Sequence, residues 1–477
     1  MSKIAVIGCG VTGAAAAYKL SMYDDEIVII EKENDVADGT TKANSAIIHA
    51  GYDPEPGTLM AKLNVEGTRQ AEEICRKLDV PYRRTGSYVL AFSAEEEKVL
   101  ERLLSNAEAN GVPGAEIITG EEARRREPAL SEDVKAALWA QSAGIINPWE
   151  YCIAMAETAV RNGAELMLDT EVTGIERLEK GFRIKTSKGD VTADYVINAA
   201  GVDSGRIHEM AAPKTFNIVP TKGEYYVFDK EEGDRVGAVI FQCPTSRGKG
   251  VLVSPTVDGN LIVGPNAVPC DADDLSVTAS GLSEIRAAGA KSVPGVNYGA
   301  AIRNFAGVRA NSDAGDFIIS MACPGFLDLA GICSPGLSSA PAIADMAIEL
   351  LEKDGLVHKK KENAVDSRRK IRFREMGFKE REELVKSDPA YGRVICRCET
   401  VTEGEIRDAL ESPIPARTLD GVKRRCGTGM GRCQGGFCGP RIVEILAEKY
   451  GVGEDMIEKD RTGSRILTGE TKGGSVK

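Results

Sequence analysis

A chain of 477 residues with 42% hydrophobic and 28% charged residues is large enough for several domains and has an ordinary globular composition, which excludes disordered, collagen-like and disulfide-scaffold classes. Its 60 Lys and Arg against 72 Asp and Glu give a net charge of −12, which excludes a broad nucleic-acid-binding face and leaves any small anion to a few local cations. No apolar run reaches the roughly 18 residues of a membrane span, and the start lacks a signal-like order of charged, apolar and small residues; a cytoplasmic chain is expected, associated with a membrane only through a partner. In chain order, residues 3–7 (KIAVI) predict a short buried strand, 12–22 an Ala-rich helix and 26–31 (EIVIIE) a second strand, a βαβ opening. TADYVINAAG (192–201) ends another strand in small residues. GEYYVFD, GVLVSPT and GNLIVGP read as antiparallel strands, and the Gly/Ser-rich GICSPGLSS leads into a helix over 340–353. From Glu352 to Lys386, 12 basic and 8 acidic residues predict a charged helix and connector at a domain boundary.

Gly8-Cys9-Gly10-Val11-Thr12-Gly13 is a GxGxxG run directly after a strand and opening a helix. There Gly8 allows a tight turn, Gly10 lets the backbone approach a pyrophosphate, and Gly13 lets helix and strand pack closely, while the helix N-terminus offers N–H groups to the anion. Glu31, about 20 residues on, can accept hydrogen bonds from a ribose diol and repels a 2′-phosphate. The motif alone does not separate FAD from NAD. No second GxGxxG follows a strand, since residues 192–205 offer only Ala199-Ala200-Gly201 and a distant Gly205; one dinucleotide is expected.

Twelve cysteines are unevenly spread: seven lie between Cys9 and Cys333, five between Cys396 and Cys438. In a reducing compartment such a cluster points to metal or redox chemistry. Cys396, Cys398, Cys433 and Cys438 form C-x-C-x34-C-x4-C. Four thiolates so spaced can hold a [2Fe–2S] cluster, two per iron, with neighbouring glycines admitting backbone N–H groups and helices starting near Thr402 and Pro440 adding their dipoles. Zinc is the alternative, and the one-residue spacer suits it less well. Cys426 stands outside the pattern.

About the first 350 residues resemble the D-amino-acid-oxidase-like group of FAD-dependent oxidoreductases, and within it glycerol-3-phosphate and L-2-hydroxyglutarate dehydrogenases. Four segments carry the resemblance: TTKANSAIIHAGYDPEPGTL (40–59), INAAGVDSG (197–205), FAGVRANSDAGDFII (305–319) and GICSPGLSSAPAIA (331–344). It implies FAD as the dinucleotide, with Thr40, Thr41, Asn44, Ser45, Ala200, Gly201, Gly331, Gly336, Leu337 and Ser338 joining Gly8, Gly10, Gly13 and Glu31 in holding it. It also places His49 at the reacting face as the base. His208 and His358, the two other histidines, stand in surface-like polar or Lys-rich sequence. The match to the family's G-x-R stretch makes Arg309 the partner of an anionic substrate, since a planar guanidinium can bind two oxygens at once. Arg303 and Lys222 are weaker candidates. Cys333 falls in the flavin-edge loop, where a packing thiol is the expected role.

CRCETVTEGEI and the cysteine spacing resemble the bacterioferritin-associated-ferredoxin-like [2Fe–2S] domain. The expected architecture is α/β plus α: a Rossmann-like FAD-binding domain with an inserted mixed or antiparallel substrate domain, and a small helical [2Fe–2S] domain. Its boundaries are 1–351 for the oxidoreductase domain (FAD-binding parts about 1–80, 145–212 and 305–351), 352–390 for the linker, 391–453 for the cluster domain and 454–477 for a frayed tail. The two resemblances together imply oxidation of sn-glycerol 3-phosphate to dihydroxyacetone phosphate. L-2-hydroxyglutarate or a related 2-hydroxy acid is the runner-up substrate, an amine or imino acid the third, and a non-catalytic electron-transfer subunit the alternative of another class. They further imply a second flavoprotein as electron acceptor and a small CxxC protein. The terminal acceptor, whether oxygen, quinone or NAD⁺, stays open.

Overall fold

The computed structural model describes residues 1–244 and 250–469. They form two units, the first of Met1–Glu31 and Ala37–Arg368, the second of Lys32–Val36 and the chain from Arg369 on.

The elements that position the first unit's sites are, in chain order, β1 (Lys3–Ile7), α1 (Val11–Leu20), β2 (Glu26–Ile30), α2 (Leu59–Leu78), α3 (Pro148–Arg161), β3 (Glu165–Met167), β4 (Tyr195–Asn198), β5 (Ile218–Phe228), β6 (Ala301–Ser312), β7 (Ile318–Cys323), β8 (Phe326–Ala330) and α4 (Gly336–Lys353). Six of them make one sheet in the order β7-β8-β4-β1-β2-β3, parallel except for the antiparallel edge strand β7. Its central strands are continuous apolar runs because both faces are covered: α1 and α4 lie over one, and on the other three antiparallel strands, Val172–Arg177, Phe182–Thr186 and Val191–Ala193, bring Val172, Phe182 and Ile184 against Ala5, Ile7, Val28 and Ile30. Ala14 to Ala17 of α1 are wholly buried, and side chains this small let α3 and α4 pack closely on that helix. The expected βαβ opening is therefore present, its helix starting at Val11.

The expected antiparallel strands lie in a nine-stranded sheet. Its longest pair is β5 against β6, in register at Thr221↔Arg309, Gly223↔Gly307 and Tyr225↔Phe305. Because side chains alternate across a strand, these six residues share one face. A third, small sheet joins Ile47–Ile48 to Gly144–Ile146 and holds the chain just before His49.

The second unit contains the helix Phe378–Ser387, a two-stranded ribbon (Val394–Cys396 with Val401–Thr402) and three further helices, α5 (Glu403–Glu411), α6 (Leu419–Cys426) and α7 (Cys438–Tyr450). Their apolar sides meet in a core that includes Ile406, Leu410, Val422, Ile442 and Leu446. Thr402 caps α5, accepting from the Glu405 N–H while the Glu405 carboxylate accepts from the Thr402 N–H at 2.8 Å, a reciprocal box that the TVTEGE run encodes.

The segment 352–390 is less helical than its charge pattern predicts. After α4 ends at Lys353, the only α-helix in it is Phe378–Ser387. Lys360 and Lys361 have no carboxylate three or four positions before or after them and Lys359 has only Glu362, so a helix there would gain little from ion pairs. Instead residues 354–368 run along the first unit, where Lys361 Nζ donates to the carbonyls of Asn162 (2.6 Å) and Ser21 (3.2 Å). Part of the segment expected as a tail packs too: Ile457 is buried in the second unit, and the backbone of Glu458 and Lys459 accepts from Leu419 and Asp420. Residues 470–477 of that tail lie outside the described residues.

Candidate functional site

Gly8 sits at φ +94°, and a Cβ there would stand 2.6 Å from the Ala199 carbonyl oxygen; one at Gly13 would stand 2.0 Å from the oxygen of Gly8. Both positions are filled by backbone, so only glycine fits. Gly10 caps α1 in extended conformation, and the Val11 N–H donates to Thr41 Oγ1 at 2.9 Å. At the end of β2, Glu31 is buried and its Oε2 accepts from the Cys9 N–H at 2.7 Å. Amides at a helix N-terminus, a backbone cradle without side chains and a carboxylate beside them fit a dinucleotide: the amides suit its pyrophosphate, the carboxylate its ribose.

The loop after Gly39 is held on both sides. Thr40 Oγ1 donates to the Val308 carbonyl on β6 at 2.6 Å. Asn44 donates to the carbonyl of Thr41 (2.8 Å) and accepts from the Ala46 N–H (2.7 Å), fixing Ala46 at φ +59°. Ser45 Oγ lies 3.1 Å from the Tyr225 hydroxyl. A Cβ at Gly307 would meet the Ala43 oxygen at 1.8 Å, so the loop crosses β6 where the strand carries no side chain.

His49 leaves that loop with its backbone pinned. Its N–H donates to Ser338 Oγ at 2.8 Å, and its carbonyl accepts from Asn64 and Thr68 of α2, both at 2.7 Å. Ser338 comes this close because α2 carries Gly67, where a Cβ would lie 2.1 Å from the Ser338 oxygen. The ring's Nε2 is 3.3 Å from Ser334 Oγ, and His49 lines, with Tyr52, Phe241 and Gln242, a shallow recess. Gly331 (φ +65°) and Gly336, which starts α4, frame the turn carrying Cys333 and Ser334; Leu337 follows, half-buried. The Cys333 thiol donates to the Ser334 carbonyl at 3.7 Å.

Ala200 and Gly201 follow β4 and are steadied from beneath: Asn198 donates to Asp328 Oδ1 at 2.7 Å, and Asp328 Oδ2 is 2.6 Å from His208 Nδ1. His208 and His358 are thus not the surface residues their flanking sequence predicts. The first is 3% exposed, and the second is stacked on Tyr23 with its Nδ1 2.8 Å from Asp25. Charged neighbours misled the reading because Asp328 and Asp25, which bond the Nδ1 atoms of these rings, are distant in sequence; only Glu352, 3.2 Å from His358 Nε2, is local.

Among the three cations named from sequence, Arg309 is half-buried on the Tyr225–Phe305 face, with Nη2 donating to the Asn266 carbonyl at 3.2 Å; among the described residues no carboxylate pairs with it. Lys222 is buried on the opposite face, its ammonium bonded to Asp274 (2.7 Å) and Ser276 (2.9 and 3.0 Å). Arg303 is exposed on β6, six residues from Arg309, a separation of about 20 Å along a strand. Sequence reading missed Asn64, Thr68, Tyr225, Asn266 and Ser334. Only the four-residue spacing of Asn64 and Thr68, which sets both on one side of α2, and the two-residue alternation of Gly223 and Tyr225 were available as signals.

In the second unit the four cysteines stand as two pairs. Cys398 and Cys433 Sγ are 3.8 Å apart, and Cys438 hydrogen-bonds Cys396. Among the described residues no three His, Cys, Asp or Glu side chains converge as ligands of one ion. The bond from Cys438, opposed by burial, and the amides of Gly429 and Glu399 push the Cys396 thiol down to about 6. The Phe437 amide leads in lowering that of Cys433, with those of Gly435 and Gly436 adding to it. Two sulfurs per iron and backbone N–H groups aimed at them fit a [2Fe–2S] cluster. Helix α7 starts at Cys438 itself, two residues before Pro440, which places its N-terminus at a candidate ligand. Cys426 is turned away, donating to the Val422 carbonyl at 3.1 Å.

The family model for FAD dependent oxidoreductases (DAO) matches residues 3–350, and that for the BFD-like [2Fe-2S] binding domain matches residues 394–448. A glycerol 3-phosphate dehydrogenase of Caloramator mitchellensis is 49% identical over 476 residues, 99% of each chain. A glycerol 3-phosphate oxidase of Mycoplasma genitalium is 32% identical over 73% of this chain and 94% of its own. The dithionite-reduced L-alpha-glycerophosphate oxidase of Mycoplasma pneumoniae, solved with FAD bound, superposes with a TM-score of 0.72 at 31% identity, covering 77% of this chain and 98% of that one.

Proposed function

The chain belongs to the FAD dependent oxidoreductase (DAO) family and carries a BFD-like [2Fe-2S] binding domain, and from that premise we propose that it oxidises sn-glycerol 3-phosphate to dihydroxyacetone phosphate and sends the electrons through the cluster to a partner. FAD and a [2Fe–2S] cluster are its cofactors. Bound FAD would supply a two-electron hydride acceptor for the substrate C–H bond, and the cluster would supply a one-electron carrier.

The observation that carries the reading is Arg309, a half-buried guanidinium with no carboxylate partner among the described residues, on the sheet face that the 40–46 loop crosses. A planar fork that is not neutralised suits a phosphate. His49 takes the proton of the secondary hydroxyl at Nε2, the nitrogen facing Ser334, and its backbone bonds to Ser338, Asn64 and Thr68 keep the ring where that proton is released. Gly8, Gly10, Gly13 and Glu31 hold the adenosine diphosphate end of FAD. Thr41 and Asn44 shape the loop along it.

Cys396, Cys398, Cys433 and Cys438 are the proposed cluster ligands. Cys398 is exposed, and Phe437, between the last two ligands, is 85% exposed, which supports electron hand-over at this surface to a second flavoprotein or a small CxxC protein. No helix among the described residues is long and apolar enough to cross a membrane. The test is anaerobic addition of glycerol 3-phosphate, L-2-hydroxyglutarate or proline to the FAD-loaded protein while following flavin absorbance. Bleaching by glycerol 3-phosphate alone is expected; bleaching by another substrate, or by none, defeats the proposal.

A further inference from the structure

We propose that Glu224 is a positioning residue for Arg309, acting through Asn266 and the bare backbone of Gly223; this rests on the reading of Arg309 as the cation that binds the substrate phosphate. Glu224 is fully buried on β5, on the face opposite Arg309. Its Oε1 accepts from the N–H and hydroxyl of Thr278 (2.7 and 3.0 Å), and its Oε2 accepts from Asn266 Nδ2 (2.9 Å). The Glu224 N–H in turn donates to Asn266 Oδ1 at 2.8 Å. Both ends of the Asn266 amide are therefore engaged by one residue, which also fixes which end is oxygen. The main-chain carbonyl of that same Asn266 accepts from Arg309 Nη2 at 3.2 Å.

The guanidinium is confined from the strand side as well. A Cβ at Gly223 would stand 2.5 Å from Arg309 Nη2 and 2.5 Å from Pro265 Cβ, so the guanidinium occupies the space that any other residue at 223 would fill. Two residues before Glu224, Lys222 bonds Asp274 and Ser276. Lys222 and Glu224 thus grip the 266–278 segment at both ends from the buried face, and that segment presents the Asn266 carbonyl to Arg309. A buried carboxylate with no cationic partner among the described residues is a costly way to join a strand to a loop, where an apolar pair would serve. The three hydrogen bonds the carboxylate accepts, with the one its backbone N–H donates to Asn266, account for it as a means of orienting one peptide group.

Steady-state kinetics on the FAD-loaded protein with glycerol 3-phosphate, together with the inhibition constant of inorganic phosphate, test the assignment. Glu224→Gln sets an NH₂ group against Asn266 Nδ2, and Gly223→Ala displaces the guanidinium while keeping its charge. Each is expected to raise KM and the phosphate inhibition constant about tenfold, with kcat changed by less than about threefold, as loss of uniform phosphate binding requires. In Glu224→Gln with Asn266→Asp the side-chain bond re-forms with its direction reversed, and KM is expected to return toward the parent value. Arg309→Lys separates the two levels of the argument: if it leaves KM and phosphate inhibition unchanged, the reading of Arg309 falls. If it raises both while Glu224→Gln and Gly223→Ala raise neither, or if the double variant restores nothing, the positioning role is overturned. Should Glu224→Gln fail to accumulate with FAD, Gly223→Ala alone decides.

Discussion

Asp35 and Arg425 meet in a two-point bond, Nη2 to Oδ1 at 2.8 Å and Nη1 to Oδ2 at 2.9 Å, both side chains almost fully buried in the second unit. Arg424 adds a third contact to Asp35 at 2.9 Å and reaches Asp460 at 2.6 Å with its other nitrogen. Arg425 also donates to the carbonyls of Ile414 and Gly421, both at 3.0 Å. Asp35 belongs to Lys32–Val36, the five residues directly after Glu31 that fold with the second unit.

Removing one side of such a pair leaves a buried charge without compensation, a loss of about 3–5 kcal/mol. Arg425→Ala is therefore expected to unfold the second unit at clearly lower urea, followed as loss of the cluster's visible absorbance. Arg425→Lys, a point charge without a fork, should fall between. Equal midpoints for all three proteins would show the bond to be dispensable.

The same carboxylate makes a pH prediction. Burial pushes Asp35 up, but Arg425 and Arg424 outweigh it and hold the carboxyl down, from an ordinary 3.8 to about 2. A carboxylate lowered by folding contributes stability above its unfolded value and loses it as pH falls through the folded one. The window is therefore about pH 4 down to 2, and the shift is worth roughly 2 kcal/mol. Hydrogen exchange in α6 should show wild type better protected than Asp35→Asn at pH 5, with the gap narrowing by pH 3. A gap that does not change with pH would remove Asp35 titration as its cause.

What could be read in advance follows from how local each feature is. GxGxxG and Glu31 lie within one βαβ unit, where strand, turn and helix are written in consecutive residues, and the structure places them together as read. The domain that the four candidate cysteines mark was legible because thiol spacing is a chemical pattern independent of the surrounding fold. By contrast, Ser338 reaches the His49 N–H from 289 residues away, Asp35 reaches Arg425 from 390 away, and Asn266 has no local signal linking it to Arg309. Side-chain to backbone bonds of this range depend on which strands pair, and periodicity does not report that. The Lys-rich segment after α4 misled for a related reason, since Lys361 is satisfied by the distant carbonyls of Asn162 and Ser21 rather than by helical neighbours.

Gly13 tests the nucleotide cradle without touching charge. A methyl group there would overlap the Gly8 carbonyl oxygen at 2.0 Å, and that atom is backbone, which cannot rotate away. Gly13→Ala should purify with little FAD, measured as fluorescence released on acid denaturation, because the overlap forces apart the turn and the helix N-terminus. Full occupancy in this variant would be inconsistent with the dinucleotide lying on that turn.

His49 is assigned the proton of the substrate hydroxyl. Loss of a positioned base lowers a proton-transfer step by about 10²–10⁴-fold. His49→Gln, which keeps a polar side chain beside Ser334, should slow anaerobic flavin reduction by at least the lower figure while FAD content stays at the wild-type level. Flavin reduction at the wild-type rate would remove the base role.

The two kinds of cysteine near the cluster should part cleanly on substitution. Cys426 is half-buried, its thiol donates to the Val422 carbonyl at 3.1 Å, and desolvation of the sulfur pushes that thiol up to about 12, so it stays protonated and is a poor ligand at neutral pH. A serine hydroxyl can make the same bond, so Cys426→Ser should keep two iron and two sulfide per chain and the EPR signal of the reduced cluster. Cys398 stands exposed and 3.8 Å from Cys433, and Cys398→Ser should lose most of both. Flavin bleaching by glycerol 3-phosphate should survive in Cys398→Ser while transfer to a one-electron dye coupled through the cluster collapses, since hydride removal and single-electron delivery are carried out at different centres. Retention of the cluster in Cys398→Ser and its loss in Cys426→Ser would reassign the fourth ligand to Cys426.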